Sequence, residues 1–236
     1  MMRALQAIHW VADPSRIKSN LVDGVRFGFE GFGYHLPVDM HRVRQVHGTD
    51  IVEANADCVD QSNLPVGDGI WTSTKNLKIG IKTADCLPII LLDKSARCIS
   101  VIHAGWRGLA AGILQVAIKS LRRMGCDAAD LTMLVGPSIS LPSYQVGPEV
   151  VDAFWNAPDL EVKHSDLAFA LYKSEADRWH IDLGGIAAMI AMEYEIMPAH
   201  IYVVRSCTFS HPDRWNSYRR EGRVIASNWS WAEIIQ

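Results

Sequence analysis

The 236-residue chain has no apolar run near the ~20 residues needed to cross a bilayer; Leu87 to Leu92 and Ile186 to Met192 are far too short. It has no excess of one charge. A formal charge of −3 supplies no basic field for nucleic acid and no strong acidic field either. It has no glycine-rich phosphate loop of either standard spacing, which excludes an ordinary nucleotide fold. It has no internal repeat and no low-complexity tract. Five cysteines, an odd number at irregular spacing, argue against a disulfide framework and favour a reducing cytoplasm. At the N-terminus Gln6, His9 and Asp13 interrupt any apolar core, so no secretory leader is expected.

What is present is an ordinary globular composition, 49% hydrophobic and 21% charged, long enough for a sizeable core. The stretch His103-Ala104-Gly105-Trp106-Arg107-Gly108 organises the reading. Cys98 to Ile102 before it is a β-branched apolar run that predicts a buried strand. Leu109, Ile113, Val116 and Leu121 after it predict one helix over 108–124, stopped by Gly125. Strands are also predicted at 7–11, 42–47, 77–81, 89–92, 131–135 and 201–204. Helices are predicted at 147–156, with Pro148 in the first turn, and at 183–194. Gly24 to Gly33 suits an edge strand or hairpin, and 157–179 is irregular to pattern reading. Strands and helices mix without strict βαβ alternation, which favours an α+β sandwich in one domain spanning 1–236.

Three residues are candidates for chemistry, against the plainer reading of inert packing or hydrogen-bonding side chains. His47 precedes a glycine at an expected strand end, Cys86 lies in a turn between strands, and His103 ends the central strand. A His–Cys–His set suits Zn²⁺, with copper possible, and leaves a position open for water or substrate. The same atoms support a rival reading in which Cys86 is a thiolate nucleophile activated by imidazole. Asp85 is placed for proton transfer or ligand orientation, against the plainer reading of a turn aspartate. Arg107, at the start of a helix, opposes the macrodipole and so suits an anion, against a solvent-facing arginine stacked on Trp106. Arg219 and Arg220 offer a second anion clamp, against a solvated basic segment. Ser138 and Cys207 are lesser candidates. Cys58, Cys98 and Cys126, and the tryptophans 10, 155, 179, 215, 229 and 231, read as packing residues.

Gln45-Val46-His47-Gly48, Gly67-Asp68-Gly69-Ile70-Trp71-Thr72, Thr83-Ala84-Asp85-Cys86-Leu87-Pro88, His103 to Gly108, Gly136-Pro137-Ser138-Ile139, Tyr144-Gln145-Val146-Gly147, Cys207-Thr208 and Ser217 to Gly222 occur in an order that resembles the YfiH family. That family is also described as polyphenol oxidase or laccase-domain proteins. The resemblance implies a four-layer α/β/β/α sandwich with mixed sheets and a metal held by His47, Cys86 and His103. It implies catalysis by Cys86, Asp85 and His103, with Gln45, Arg107, Ser138 and Arg219 contacting substrate. The implied activity is phosphorolysis of adenosine, inosine and methylthioadenosine, with adenosine deamination. Two alternatives stand beside it: an amidase that removes L-Ser from a peptidoglycan precursor, and a non-catalytic metal-binding protein. Copper oxidation of phenols ranks last, because the other histidines show no HxH pairing. The expected partner is a small molecule, with neither nucleic acid nor membrane involved, in a cytoplasmic monomer or weak dimer. The chain departs from the family pattern at Gly24 to His35, at Pro142-Ser143, at Gln145 and in the loop after Gly222.

Overall fold

The architecture follows from strands that are apolar on both faces. The computed structural model describes residues 2–18, 20–34, 37, 39–55, 63–157 and 170–235. Among them the chain forms α1 (Met2–Leu5), β1 (His9–Val11), β2 (Val25–Glu30), β3 (Ile51–Glu53), β4 (Gly69–Thr72), β5 (Lys78–Thr83), β6 (Leu87–Asp93) and β7 (Ile99–Ala104). Next come α2 (Trp106–Ala110), α3 (Ile113–Arg123), β8 (Leu131–Val135), β9 (Gln145–Val146), α4 (Pro148–Trp155), β10 (Leu171–Glu175) and β11 (Arg178–Ile181). Then follow α5 (Leu183–Glu193), β12 (Ile201–Val204), α6 (Tyr218–Glu221) and β13 (Asn228–Ile234).

A mixed seven-stranded sheet in the order β1-β12-β8-β6-β7-β4-β3 forms the middle layer. Every residue of β6 and β7 is buried, and successive side chains point to opposite faces. Ile89, Leu91 and Met133 pack with Ile113, Leu114 and Ile118 of α3 and with Ile186 and Ile190 of α5. Ile90, Leu92 and Val101 pack with Ile79, Ile81 and Ala232 of a three-stranded antiparallel sheet, β2-β13-β5. A third sheet, β10-β11-β9, lies beside α4. This is the α+β arrangement of mixed sheets with outer helices that the sequence implies.

Several expectations need correction. Residues 42–47 do not form a strand. His41 and Arg44 make single bridges to Ile79 and Val66, and His47 turns the chain with φ 63°. The helix expected over 108–124 is two helices. It starts at Trp106, breaks at Gly112 with φ 95°, and restarts at Ile113. Val116, assigned to its apolar face, is exposed. The stretch read as irregular, 157–179, holds β10 and the first two residues of β11. Cys98 and Cys126, read as packing residues, have their sulfurs paired. Cys58 lies outside the described residues. Gly125 does end α3, with φ 83°, and Pro148 does open α4.

One glycine locks the two packed sheets together. A Cβ on Gly136, just past β8, would lie 2.3 Å from Phe29 Cε1 of β2 and 2.9 Å from Pro88 Cγ of β6. The ring of Phe29 therefore rests on bare backbone. Gly136→Ala is expected to destabilise the fold by about 1–3 kcal/mol through overpacking, read as a lower urea midpoint at unchanged slope.

Candidate functional site

The site forms where β5, β6 and β7 meet their connecting turns. His103 is the penultimate residue of β7 and faces Pro88 of β6 across the ladder. Cys86 lies in the turn between β5 and β6, whose preceding residue Asp85 has φ 91°. His47 arrives from outside both sheets, on the turn that ends before Gly48. Their ligand atoms lie within 4.8 Å of one another. His47 Nε2 is 3.9 Å from Cys86 Sγ, and the two imidazoles meet edge to face at 4.8 Å. His47 is exposed, Cys86 half-buried and His103 buried, so the trio runs from solvent inward.

Asp68 organises this trio. Its carboxylate accepts hydrogen bonds from the backbone amides of Val46 (3.1 Å), His47 (2.8 Å) and Gly48 (2.7 Å). It also accepts from His103 Nδ1 at 2.8 Å. One buried anion thus fixes the left-handed turn at His47 and the tautomer of His103, leaving Nε2 of His103 unprotonated toward the cavity when the ring is neutral. Burial opposes the charge of Asp68, but these four donors outweigh it and lower its pKa. Sequence reading quoted Gly67-Asp68-Gly69 without giving Asp68 a role; an aspartate between two glycines looks like a turn residue.

The donor set fits a metal ion. Two imidazoles and one thiolate converge, and a carboxylate holds one imidazole from behind. The floor beneath them is Gly105, whose added Cβ would fall 2.9 Å from His47 Cδ2 and 3.3 Å from Cys86 Sγ. Among the described residues this is the one group of three such ligands.

Without a metal, the trio is an acid–base unit. Burial pushes the Cys86 thiol up, but hydrogen bonds from His103 and His47 outweigh it and bring it to about 7. Burial disfavours the His103 imidazolium, but bonds to Asp68 and to Cys86 raise it to about 9.

The trio opens into a cavity of about 670 Å³ whose wall includes Gln45, Thr83, Arg107, Tyr144 and Arg219. Arg107 is exposed at its rim and lies 4.2 Å over the Trp106 ring, the stacked placement weighed above. Arg219 donates to the Gln145 carbonyl at 3.0 Å and lies 5.4 Å from the centre of the Tyr144 ring. Burial pushes the Tyr144 phenol well above its ordinary range, so it stays a neutral hydroxyl.

Other candidates are already engaged. Asp85 accepts from Thr208 Oγ1 and from the Arg219 amide, both at 2.6 Å. Gln45 binds the Lys82 backbone at both ends, accepting from its amide at 3.0 Å and donating to its carbonyl at 2.8 Å. Arg220 is not an anion clamp. Its guanidinium donates to the carbonyls of Thr208, Phe209 and Trp215 and to Glu221, tying down the loop after Cys207. Ser138 does not reach the main cavity. Its carbonyl accepts from the Thr208 amide, and it lines a smaller cleft beside Asp182 and Arg205. Cys207 is buried and takes a hydrogen bond from the Ser140 amide at 3.4 Å.

A family model described as multi-copper polyphenol oxidoreductase laccase matches residues 28–230. The chain belongs to this family, which is the YfiH family. It is 33% identical over 190 residues to a purine nucleoside phosphorylase of Xylella fastidiosa, covering 80% of this chain and 70% of that one. It is 35% identical over 181 residues to the purine nucleoside phosphorylase PA4543 of Pseudomonas aeruginosa, covering 76% and 68%. It is 31% identical over 156 residues to adenosine deaminase RL5 of an unknown prokaryotic organism, covering 66% and 57%. Among solved structures, Bacillus licheniformis YfiH superposes with a TM-score of 0.77 at 24% identity, covering 83% of this chain and 74% of that one. Neisseria meningitidis NMB0706 gives 0.73 at 27%, covering 84% and 75%. No helix of the described residues is long and apolar enough to cross a membrane.

Two outcomes follow from the geometry. Asp68→Asn keeps the shape but replaces the anion, and is expected to weaken metal affinity by about 10- to 100-fold, measured by competition with a chromogenic chelator. In metal-free protein, thiolate absorbance is expected to rise near pH 7 and to shrink in Cys86→Ala to the share of Cys207, which, against burial, hydrogen bonds from Ser140 also hold near 7. The linkage is signed. His103, raised from 6.5 to about 9, favours folding fully below pH 6.5, and this is lost as pH rises through about 9. Cys86, lowered from 9.0 to about 7, favours folding above pH 9.0, and this is lost as pH falls through about 7. A midpoint for the thiolate rise near pH 9 would remove the imidazole–thiolate coupling.

Proposed function

We propose that the protein is a zinc-dependent enzyme acting on purine nucleosides, cleaving them with phosphate. The observation that carries this reading is the convergence of His47, Cys86 and His103 at a cavity whose rim bears Arg107 and Arg219. Relatives named purine nucleoside phosphorylase and adenosine deaminase, at 31–35% identity, support the substrate class.

His47, Cys86 and His103 would hold the ion. Zinc with three protein ligands supplies a Lewis acid at an open position. The chain's own groups do the rest. Arg107 and Arg219 draw the phosphate dianion to the mouth and hold it there. Asp85 positions rather than transfers a proton, since both its oxygens are committed to Thr208 and to the amide that anchors Arg219. Gln45 likewise holds the Lys82 backbone that forms the wall. Neutral Tyr144 offers a hydroxyl and an aromatic edge to the purine ring. Deamination is a separate reaction of the same substrate class, in which water attacks C6 of the purine and ammonia leaves while the glycosidic bond stays intact.

A cysteine-dependent amidase is the second reading. It is favoured by the thiol held near 7 between two imidazoles, one backed by Asp68. Activity that survives chelation and is abolished by thiol alkylation would select it.

The deciding assay incubates adenosine with inorganic phosphate and follows adenine and ribose 1-phosphate. Wild type is expected to turn over, and Cys86→Ala to lose about a hundredfold or more in kcat/KM, along with its zinc by elemental analysis. Equal rates in the two proteins would remove the trio from the reaction.

A further inference from the structure

We propose that the Thr83 hydroxyl is a ligand-binding group of the cavity and that its partner is a sugar hydroxyl of the bound nucleoside. This rests on the nucleoside reading above.

Thr83 is the last residue of β5. Ladder alternation puts it on the same face as Ile79 and Ile81, both fully buried against the large sheet. A polar residue thus occupies the third position of an apolar series, where the space between the sheets meets the cavity. It is 4% exposed and lines the cavity; its Oγ1 is itself closed to solvent and has no hydrogen-bond partner among the described residues, so a turn about χ1 brings it to a ligand in the cavity. Several other buried hydroxyls among the described residues are paired. Thr72 Oγ1 donates to the Ala54 carbonyl, Ser100 Oγ to the Ile70 carbonyl and Thr208 Oγ1 to Asp85. Valine has the same shape and would fill the Thr83 position without leaving a polar atom unpaired. An orphaned hydroxyl at a cavity wall is the mark of a group whose partner arrives with the ligand.

The chemistry of the surroundings selects the partner. Charged oxygens are served at the exposed rim by Arg107 and Arg219, and the reacting centre by the trio. A threonine hydroxyl is neutral, donates once and accepts, and so matches another hydroxyl whichever way the proton points. On a nucleoside those are the sugar hydroxyls.

The test compares wild type, Thr83→Val and Thr83→Ser with phosphate on adenosine and on its 2′-, 3′- and 5′-deoxy analogues. Thr83→Val is expected to lose about fivefold to tenfold in kcat/KM on adenosine. It should lose nothing further on the one analogue that lacks the contacted hydroxyl, and Thr83→Ser should rescue the loss. The ligand-free Tm of Thr83→Val should not fall below wild type. Unchanged kinetics in Thr83→Val, or a lower Tm with unchanged kinetics, would overturn the contact. An equal loss on all four nucleosides would overturn the sugar assignment. A wild type that does not cleave adenosine would remove the nucleoside reading and this inference with it; an active wild type indifferent to Thr83→Val would remove this inference alone.

Discussion

A single buried carboxylate holds the site in register. Asp68 is fully buried and gathers three consecutive backbone amides and one imidazole. An unpaired carboxylate there would be costly, so the turn at His47 and the ring of His103 are held by the same requirement to satisfy it. The amide bonds offset the strain of a non-glycine residue at φ 63°. Without them His47 belongs to a loop with no reason to face Cys86. The central strand supplies rigidity on one side, and Asp68 transfers that rigidity to a segment that belongs to neither packed sheet.

The parts legible in the sequence are those whose signal is local. The runs 89–92, 131–135 and 201–204 read as buried strands because both faces are apolar. Pro148 and Gly125 mark helix ends through their own backbone constraints. His47, Cys86 and His103 are legible because His47 directly precedes Gly48, Cys86 and His103 stand two residues before Pro88 and Gly105, and their order matches one family's motifs. What failed depends on distant partners. The alternation of Val43, Gln45 and His47 imitates a strand, yet the amides that would build a ladder are taken by Asp68, 20 to 22 residues away. Leu109 and Ile113 keep helical spacing straight across the left-handed Gly112, so periodicity cannot see the break. Of the β10–β11 hairpin, only Leu171 and Ile181 are buried, and a strand pair with one apolar contact at its base leaves no alternating pattern.

The family's description speaks of several coppers, and the described residues give a different picture. A multinuclear centre needs more imidazoles than His47 and His103 supply. The described histidines outside the trio are bound to backbone or lie elsewhere: His180 to the Leu141 carbonyl, His200 to the Ala129 carbonyl and His211 to the Cys207 carbonyl. A mononuclear site with a soft thiolate and two borderline nitrogens is what the donors can build, and that set favours zinc over hard cations.

Polarity is graded through the cavity, and the gradient constrains how a substrate sits. Arginines occupy the exposed mouth, where a solvated guanidinium costs little to keep charged. The trio lies further in, its most buried member backed by an anion that no solvent reaches. Between them the wall includes backbone held by Gln45, which binds Lys82 at both ends, and by Asp85, which accepts from Thr208 and the Arg219 amide. Arg107 and Arg219 at the rim, the Tyr144 ring and the hydroxyl of Thr83 remain to meet a ligand, Arg219 while also donating to the Gln145 carbonyl.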